Sequence, residues 1–160
     1  MLADEYFVGV AGKPRGFDDS AIESPIVAPQ KNGGNGQLRV LVLEDDVLQL
    51  ELLVEHLQSV GLATVGVTSV VEARQQLNDS KFNLAIFDVQ LPDGSGLDLC
   101  NNLADDSRFC SMPTIVLSSL NQANIVRRTR ASGASFFIGK PYDPNVLLTV
   151  IERALGTDLQ

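Results

Sequence analysis

The fold of this chain is decided by the stretch Asn83-Leu84-Ala85-Ile86-Phe87-Asp88-Val89-Gln90-Leu91-Pro92-Asp93-Gly94-Ser95-Gly96-Leu97. Its apolar run ends abruptly in a carboxylate, Asp88, and a turn-rich segment with Pro92, Gly94 and Gly96 follows. A short apolar run bounded by turn residues predicts a buried strand. In an open α/β sheet the chemistry collects at the carboxyl ends of the strands, so Asp88 is a candidate functional residue. An ordinary aspartate between a strand and a loop would show the same pattern. The residues that follow the other strands are therefore needed to tell a functional aspartate from an ordinary one.

Four further strand patterns flank this stretch, and a helical pattern follows each strand. Including the central one, the predicted strands lie within 38–43, 62–67, 82–87, 114–117 and 135–138. Helix signals support the assignment: Gly61 and Gly133 are typical stops, Ser69 with Glu72 forms a capping-box pattern, and Asp143 precedes a proline. Five such βα units predict a parallel sheet with right-handed crossovers and helices on both faces.

Composition narrows the class of protein. The chain has 160 residues, 44% of them hydrophobic, which suits one packed domain. A net charge of −8 argues against a nucleic-acid surface, which needs clustered Lys and Arg. No signal peptide or membrane span is visible, and Cys100 and Cys110 fit neither a disulfide framework nor a metal cluster. These features predict a cytoplasmic protein.

The first part of the chain differs in composition from the rest. Glycine and proline recur so often up to residue 36 that no regular period survives. We therefore predict a flexible N-terminal leader over residues 1–36, a folded domain over 37–156 and a C-terminal tail over 157–160. The apolar segments 6–8 and 26–27 could dock on the domain or on a partner, but disorder is the preferred interpretation of the leader.

Polar and charged residues follow four of the five predicted strands. They are Glu44, Asp45 and Asp46 after the first strand, Asp88 after the third, Ser118 and Ser119 after the fourth, and Lys140 after the fifth. Parallel strands end at the same edge of a sheet, so these side chains are expected to converge there. Each residue alone is ordinary, whereas their combination is a specific signal.

The physical chemistry of this combination suggests phosphoryl transfer. Crowded carboxylates repel one another, and a hard dication such as Mg²⁺ relieves that repulsion with oxygen ligands. Lys140 supplies a positive charge for a phosphoryl oxygen, and a serine hydroxyl can donate to another. Asp88 then has the surroundings of a nucleophile toward phosphorus, and aspartyl phosphates are a known form of covalent catalysis.

The chain resembles the receiver domain of two-component response regulators. The matching stretches are Val40 to Asp46, Phe87 to Gly96, Pro113 to Ser119 and Phe137 to Pro141, in that order. The resemblance covers about residues 38–156. It implies the flavodoxin-like fold of receivers, a doubly wound five-stranded parallel sheet with strand order 2-1-3-4-5.

The resemblance also implies a role for each matching residue. Asp88 corresponds to the phosphoacceptor, and Lys140 to the phosphate-binding lysine. Glu44 and Asp45 correspond to the acidic pair that helps bind Mg²⁺, Asp45 more directly, together with Asp88 and the backbone carbonyl of Gln90. Ser118 corresponds to the switch hydroxyl, and Phe137 to the aromatic residue whose rotamer follows it.

As a function, the resemblance implies a phosphorylation-dependent signalling switch. The phosphoryl group would come from a histidine kinase or a histidine phosphotransfer protein, with self-catalysed transfer and autodephosphorylation and no other enzymatic activity. A downstream protein would bind the face formed by the fourth helix, fifth strand and fifth helix, where Arg127, Arg128 and Arg130 could meet an acidic partner or simply be solvated. No direct contact with nucleic acid and no membrane insertion are expected, and a phosphorylation-dependent homodimer is left open.

Several departures and alternatives remain. Ser118 stands where the family commonly has threonine, Ser119 replaces a usual alanine, the leader is long, and no output domain is expected after residue 160. A dehalogenase-type phosphatase would need a second aspartate at Gln90, and a flavodoxin would need a phosphate loop where Glu44 and Asp45 stand. The serious alternative is a receiver-like interaction module that does not phosphorylate.

Overall fold

The computed structural model of the chain describes residues 8–10, 36–119 and 124–159. The strands are β1 Val8–Val10, β2 Arg39–Leu43, β3 Ala63–Val67, β4 Leu84–Asp88, β5 Gln90–Leu91, β6 Gly94–Ser95, β7 Thr114–Ser119 and β8 Phe136–Lys140. The helices are α1 Val47–Ser59, α2 Val70–Asp79, α3 Gly96–Ala104, α4 Ile125–Ala131 and α5 Pro144–Leu155. No helix in these ranges is both long and apolar enough to cross a membrane.

The main sheet has the strand order β1-β8-β7-β4-β2-β3. Strands β8, β7, β4, β2 and β3 are each parallel to their neighbours in this order. Counted along the chain without β1, β5 and β6, they give the order 2-1-3-4-5. The predicted doubly wound parallel sheet is therefore confirmed.

The sequence analysis did not predict β1. This strand lies inside the stretch assigned to a flexible leader, and it adds to the sheet as an antiparallel neighbour of β8. The segment 26–27, the other candidate for docking, lies outside the described residues. At the opposite terminus, Leu159 of the predicted tail packs beside α5, and its N–H donates to Glu152 Oε1 at 2.9 Å.

The core forms two layers, one on each face of the sheet. Successive strand residues point to opposite faces, so Leu41 and Leu43 join one layer while Val40 and Val42 join the other. Helices α2, α3 and α4 cover the first layer, and α1 and α5 cover the second. Because β4 is buried along its whole length, it shows an unbroken apolar run instead of alternation.

Local capping fixes the helix boundaries near their predicted positions. Gly61 takes the left-handed conformation after α1, with φ +90°, as a helix stop should. Ser69 caps α2 by accepting the N–H of Glu72, but Glu72 Oε2 accepts the N–H of Thr68, so only half of the predicted capping box forms. In α1 the buried residues are Leu50, Leu53 and Leu57, whereas the first residue, Val47, is 58% exposed.

The segment after Asp88 ties three elements together. Asp93 accepts the N–H groups of Val70 and Val71 at 2.8 and 3.0 Å, and these bonds to the start of α2 lower the pKa of its carboxyl. Gly96, the first residue of α3, donates its N–H to the carbonyl of Val89 at 3.0 Å. A Cβ on Gly96 would overlap the backbone carbonyl of Asp88. Close approach of α3 to the end of β4 therefore requires glycine here.

We expect Gly96→Ala to lower the free energy of unfolding by about 1–3 kcal/mol, because the added methyl group forces backbone to shift. At an ordinary helix position the same change would be stabilising, so the sign of the effect is diagnostic. Urea unfolding measures it, with the exposed α3 position Asn102→Ala as the control. Equal or increased stability of Gly96→Ala would contradict the close approach.

Candidate functional site

Parallel register brings three strand ends to one edge of the sheet. In β2 and β4, Leu43 is paired with Phe87, so Glu44 and Asp88 are the next residues on neighbouring strands. Lys140 ends β8, in register with Ser119 of β7. The predicted convergence of acidic and basic groups at the carboxyl edge is found in the structure.

The ammonium group of Lys140 lies between the carboxylates of two other strand ends. Its Nζ donates to Glu44 Oε2 at 2.6 Å and lies 3.4 Å from Asp88 Oδ2. Glu44 Oε1 also accepts the backbone N–H of Asp46 at 3.2 Å. These contacts fix the charge of Lys140 next to Asp88.

Burial and charge oppose each other in this pair. Burial raises the pKa of the Glu44 carboxyl, and the hydrogen bond and charge of Lys140 reverse this only in part. Burial lowers the pKa of Lys140, but its hydrogen bond to Glu44 and the charge of Asp88 outweigh burial and leave this pKa raised. The pKa of each group therefore reflects a balance between burial and the charge of its partner.

The two carboxylate oxygens of Asp88 have different surroundings. Oδ1 accepts the N–H of the next residue, Val89, at 2.8 Å, while Oδ2 faces Lys140. The residue is only 9% exposed. Asp88 is thus held in one orientation, with one oxygen directed at the cluster of charges.

Three carboxylates could share a metal ion. Ligand oxygens of Glu44, Asp45 and Asp88 all lie within 4.8 Å of one another. An all-oxygen donor set of this size, with Asp45 exposed to solvent, fits Mg²⁺, which prefers carboxylate oxygens and retains several waters. Asp46 has a different role, since it caps α1 by accepting the N–H groups of Leu48 and Gln49, which lowers the pKa of its carboxyl.

The predicted switch residues are both buried in the strands β7 and β8. Ser118 is 1% exposed, and its hydroxyl donates to the carbonyl of Ser119 at 3.1 Å. Phe137 is fully buried and paired with Val116 of β7. In this structure the hydroxyl of Ser118 is thus bonded to backbone. Gln90, whose carbonyl is expected to bind metal, pairs with Ser95 in the short β5–β6 ladder.

Sequence reasoning missed one residue of this site, Gln49. Its Oε1 accepts from Lys140 Nζ at 3.3 Å, and its Nε2 donates to Asp46 Oδ2 at 3.1 Å. The pattern Asp46-x-x-Gln49 is that of a capping box, which could have placed this side chain at the start of α1. Gln49 joins the helix cap to the ammonium group.

The remaining candidates lie away from this edge. Arg127, Arg128 and Arg130 are all exposed on α4. Cys100 and Cys110 are both free thiols, and burial raises the pKa of Cys100 to about 12. Cys100 is therefore a buried, protonated thiol and not a reactive nucleophile.

Comparison with known proteins points to one family. The family model for the response regulator receiver domain matches residues 40–152. The transcriptional regulatory protein GltR of Pseudomonas aeruginosa is 35% identical over 117 residues, which are 72% of this chain and 48% of GltR. The response regulator DivK of Brucella ovis is 27% identical, over 73% of this chain and 95% of DivK.

Solved structures agree with the sequence relatives. The receiver domain of a signal transduction histidine kinase from Syntrophus aciditrophicus superimposes with a TM-score of 0.71 at 32% identity, over 74% of this chain and 89% of that one. The chain spans about half the length of GltR, 48%, and of the Helicobacter pylori protein CrdR, 57%. The match of the family model to the folded part, and the shared sheet order, show that this chain belongs to the response regulator receiver family.

Proposed function

We propose that this protein is a signalling switch of a two-component system that accepts a phosphoryl group on Asp88. The observation that carries this proposal is the position of Lys140 Nζ between Glu44 and Asp88. A phosphoryl group on Asp88 would bring oxygens next to an ammonium group that is already fixed in place. Catalysis of phosphoryl transfer consists mainly of such positioning and charge stabilisation.

The proposed donor is a phosphohistidine of a histidine kinase or a histidine phosphotransfer protein. A carboxylate oxygen of Asp88 forms a bond to phosphorus as the P–N bond breaks, and the imidazole leaves with the electron pair and takes up a proton. Oδ2 is suited to this attack because Oδ1 is occupied by the N–H of Val89. Water later hydrolyses the acyl phosphate, which returns Asp88 and inorganic phosphate; no other enzymatic turnover is proposed.

Glu44, Asp45 and Asp88 are the residues that would hold Mg²⁺, with the backbone carbonyl of Gln90 as a further ligand. The ion would supply charge neutralisation and alignment of phosphoryl oxygens. Glu44 already binds Lys140, so its direct share in metal binding is smaller than that of the exposed Asp45. This supports the expected order of importance within the acidic pair.

A module that binds partners without phosphorylation is the alternative function. It would not need a half-buried lysine held between the carboxylates of Glu44 and Asp88. The absence of an acid at Gln90 still disfavours a dehalogenase-type phosphatase. We place the proposed switch in the cytoplasm, where kinase domains act.

We expect treatment with acetyl phosphate and Mg²⁺ to add one phosphoryl group to the wild-type chain. Asp88→Asn should remove this addition, since an amide is not a nucleophile toward phosphorus. Asp93→Asn is the matched control, because Asp93 belongs to the same loop but caps α2. Intact-mass measurement distinguishes the three proteins. An equal mass gain in Asp88→Asn would refute the assignment and leave the interaction module as the better function.

We expect Mg²⁺ to stabilise the wild-type chain by relieving repulsion among the carboxylates. At about ten times the dissociation constant the gain is about 1.4 kcal/mol. Asp45→Asn should lose most of this gain in a thermal melt. Asp46→Asn is the control, because asparagine also caps helices well and Asp46 belongs to the α1 cap. A response of Asp45→Asn equal to the wild type would contradict the proposed ligand set.

We further propose that phosphorylation is transmitted through Ser118 and Phe137 to the face of α4, β8 and α5. Ser118 would exchange its bond to the Ser119 carbonyl for one to a phosphoryl oxygen. The space that Ser118 leaves could be taken by Phe137 on the neighbouring strand β8. A downstream protein, or a second copy, would then recognise the altered face with its exposed arginines.

We expect Ser118→Ala to bind beryllofluoride, a stand-in for the phosphoryl group, but to lose most of the response of α4. A hydrogen bond to a charged group supplies about 1.5–3 kcal/mol of bias, enough for a shift of tenfold or more in the two-state balance. Amide NMR shifts of Arg127 to Ala131 measure it, with Ser119→Ala as the control. Wild-type shifts in Ser118→Ala would show that the coupling bypasses this hydroxyl.

A further inference from the structure

Gln49, in the first turn of α1, contacts Lys140 but has no part in the function proposed above. Its Oε1 accepts from Lys140 Nζ at 3.3 Å. Two strand ends supply the other oxygens near this ammonium group, Glu44 Oε2 at 2.6 Å and Asp88 Oδ2 at 3.4 Å. An ammonium group has three N–H donors, so these three oxygens provide one partner for each donor.

The orientation of the Gln49 amide is fixed by the charges on its two sides. Its Nε2 donates to Asp46 Oδ2 at 3.1 Å, while its Oε1 faces the ammonium group. Turning the amide over would place its NH2 group against Lys140 and its oxygen against a carboxylate, and both contacts would be repulsive. Asp46 is held in turn, because its Oδ1 accepts the N–H groups of Leu48 and Gln49. Gln49 therefore presents a fixed acceptor that is tied to the start of α1.

The contact with Gln49 holds Lys140 from the side that Glu44 does not reach. Lysine carries its charge on a flexible four-carbon stem, so one contact leaves much of its rotamer freedom. The side chain of Lys140 is 20% exposed and that of Glu44 only 4%, so Glu44 binds the ammonium group from the buried side. Gln49 is exposed and binds it from the solvent side. With both contacts in place, the third N–H stays directed at Asp88.

A neutral side chain suits this position better than an acidic one. Ligand oxygens of Glu44, Asp45 and Asp88 already lie within 4.8 Å of one another. A further carboxylate would repel an incoming phosphoryl group, which is itself anionic. When Asp88 Oδ2 bonds to phosphorus it loses its negative charge, and a phosphoryl oxygen can accept the N–H that faced it. The contacts of Lys140 with Glu44 and Gln49 can remain unchanged through this step.

We propose that Gln49 is a positioning residue for phosphoryl transfer. It holds the ammonium group of Lys140 against Glu44 and so directs the third N–H at the phosphoryl oxygens on Asp88. The inference rests on the proposed function, the phosphorylation of Asp88, and adds the side chain that sets the direction of the stabilising charge. Its effect on the reaction acts through Lys140 alone.

Gln49→Met in the full-length chain tests the proposal, because methionine matches glutamine in length and helix propensity but lacks the amide oxygen. Gln58→Met is the matched control, the same change at an exposed position late in α1. The first measurement requires no phosphorylation: the NMR exchange rate of the Lys140 ammonium protons with water. We expect this exchange to be about threefold faster in Gln49→Met and unchanged in Gln58→Met. Gln49→Glu, which keeps an acceptor oxygen, should restore the slow exchange.

The second measurement is the rate at which acetyl phosphate and Mg²⁺ add a phosphoryl group, followed by intact mass. We expect Gln49→Met to lower this rate about threefold to tenfold, and by less than about twofold when Lys140→Met is also present, since Gln49 acts through that lysine. Rate losses that multiply in the double variant would overturn the proposal, as would wild-type ammonium exchange in Gln49→Met. A wild-type chain that gains no phosphoryl group would instead refute the proposed function, and this inference with it.

Discussion

The geometry of this site depends on the ammonium group of Lys140, which lies between the carboxylates of Glu44 and Asp88. Lys140 can hold Glu44 and face Asp88 only if β2, β4 and β8 end at the same edge, so the sheet order and the register are both required. The dependence also runs the other way. A buried glutamate left without its cation would be strongly destabilising, so the fold and the charge balance support each other.

Acidic side chains near this edge divide into two groups that their positions after the strands do not by themselves distinguish. Glu44, Asp45 and Asp88 converge within 4.8 Å, whereas Asp46 and Asp93 turn toward the N-terminal N–H groups of α1 and α2. The difference lies in which unpaired backbone donors each carboxylate can reach. The carboxylates of the capping aspartates place both helices relative to the site, and the backbone N–H of Asp46 also donates to Glu44 in the charged cluster.

The five parallel strands and their helices could be predicted because periodicity and capping residues record them directly. Convergence at the carboxyl edge then follows from the parallel topology. Strand β1 could not be predicted, because a three-residue segment among glycine and proline residues is too short to show the side-chain alternation of a strand. The contacts of Gln49 were also missed, because they require the distance between α1 and β8, which only the folded chain supplies.

Strand β8 combines three roles that are separate in the sequence. Its end carries Lys140, its centre carries Phe137, and its outer edge carries the backbone groups that pair with β1. A strand five residues long does not move one of these features independently of the others. If a phosphoryl contact at Lys140 and Ser118 alters the position of β8, it alters the edge as well. Linkage then requires the reverse effect, so that whatever occupies the edge changes the affinity of the site for its phosphoryl group.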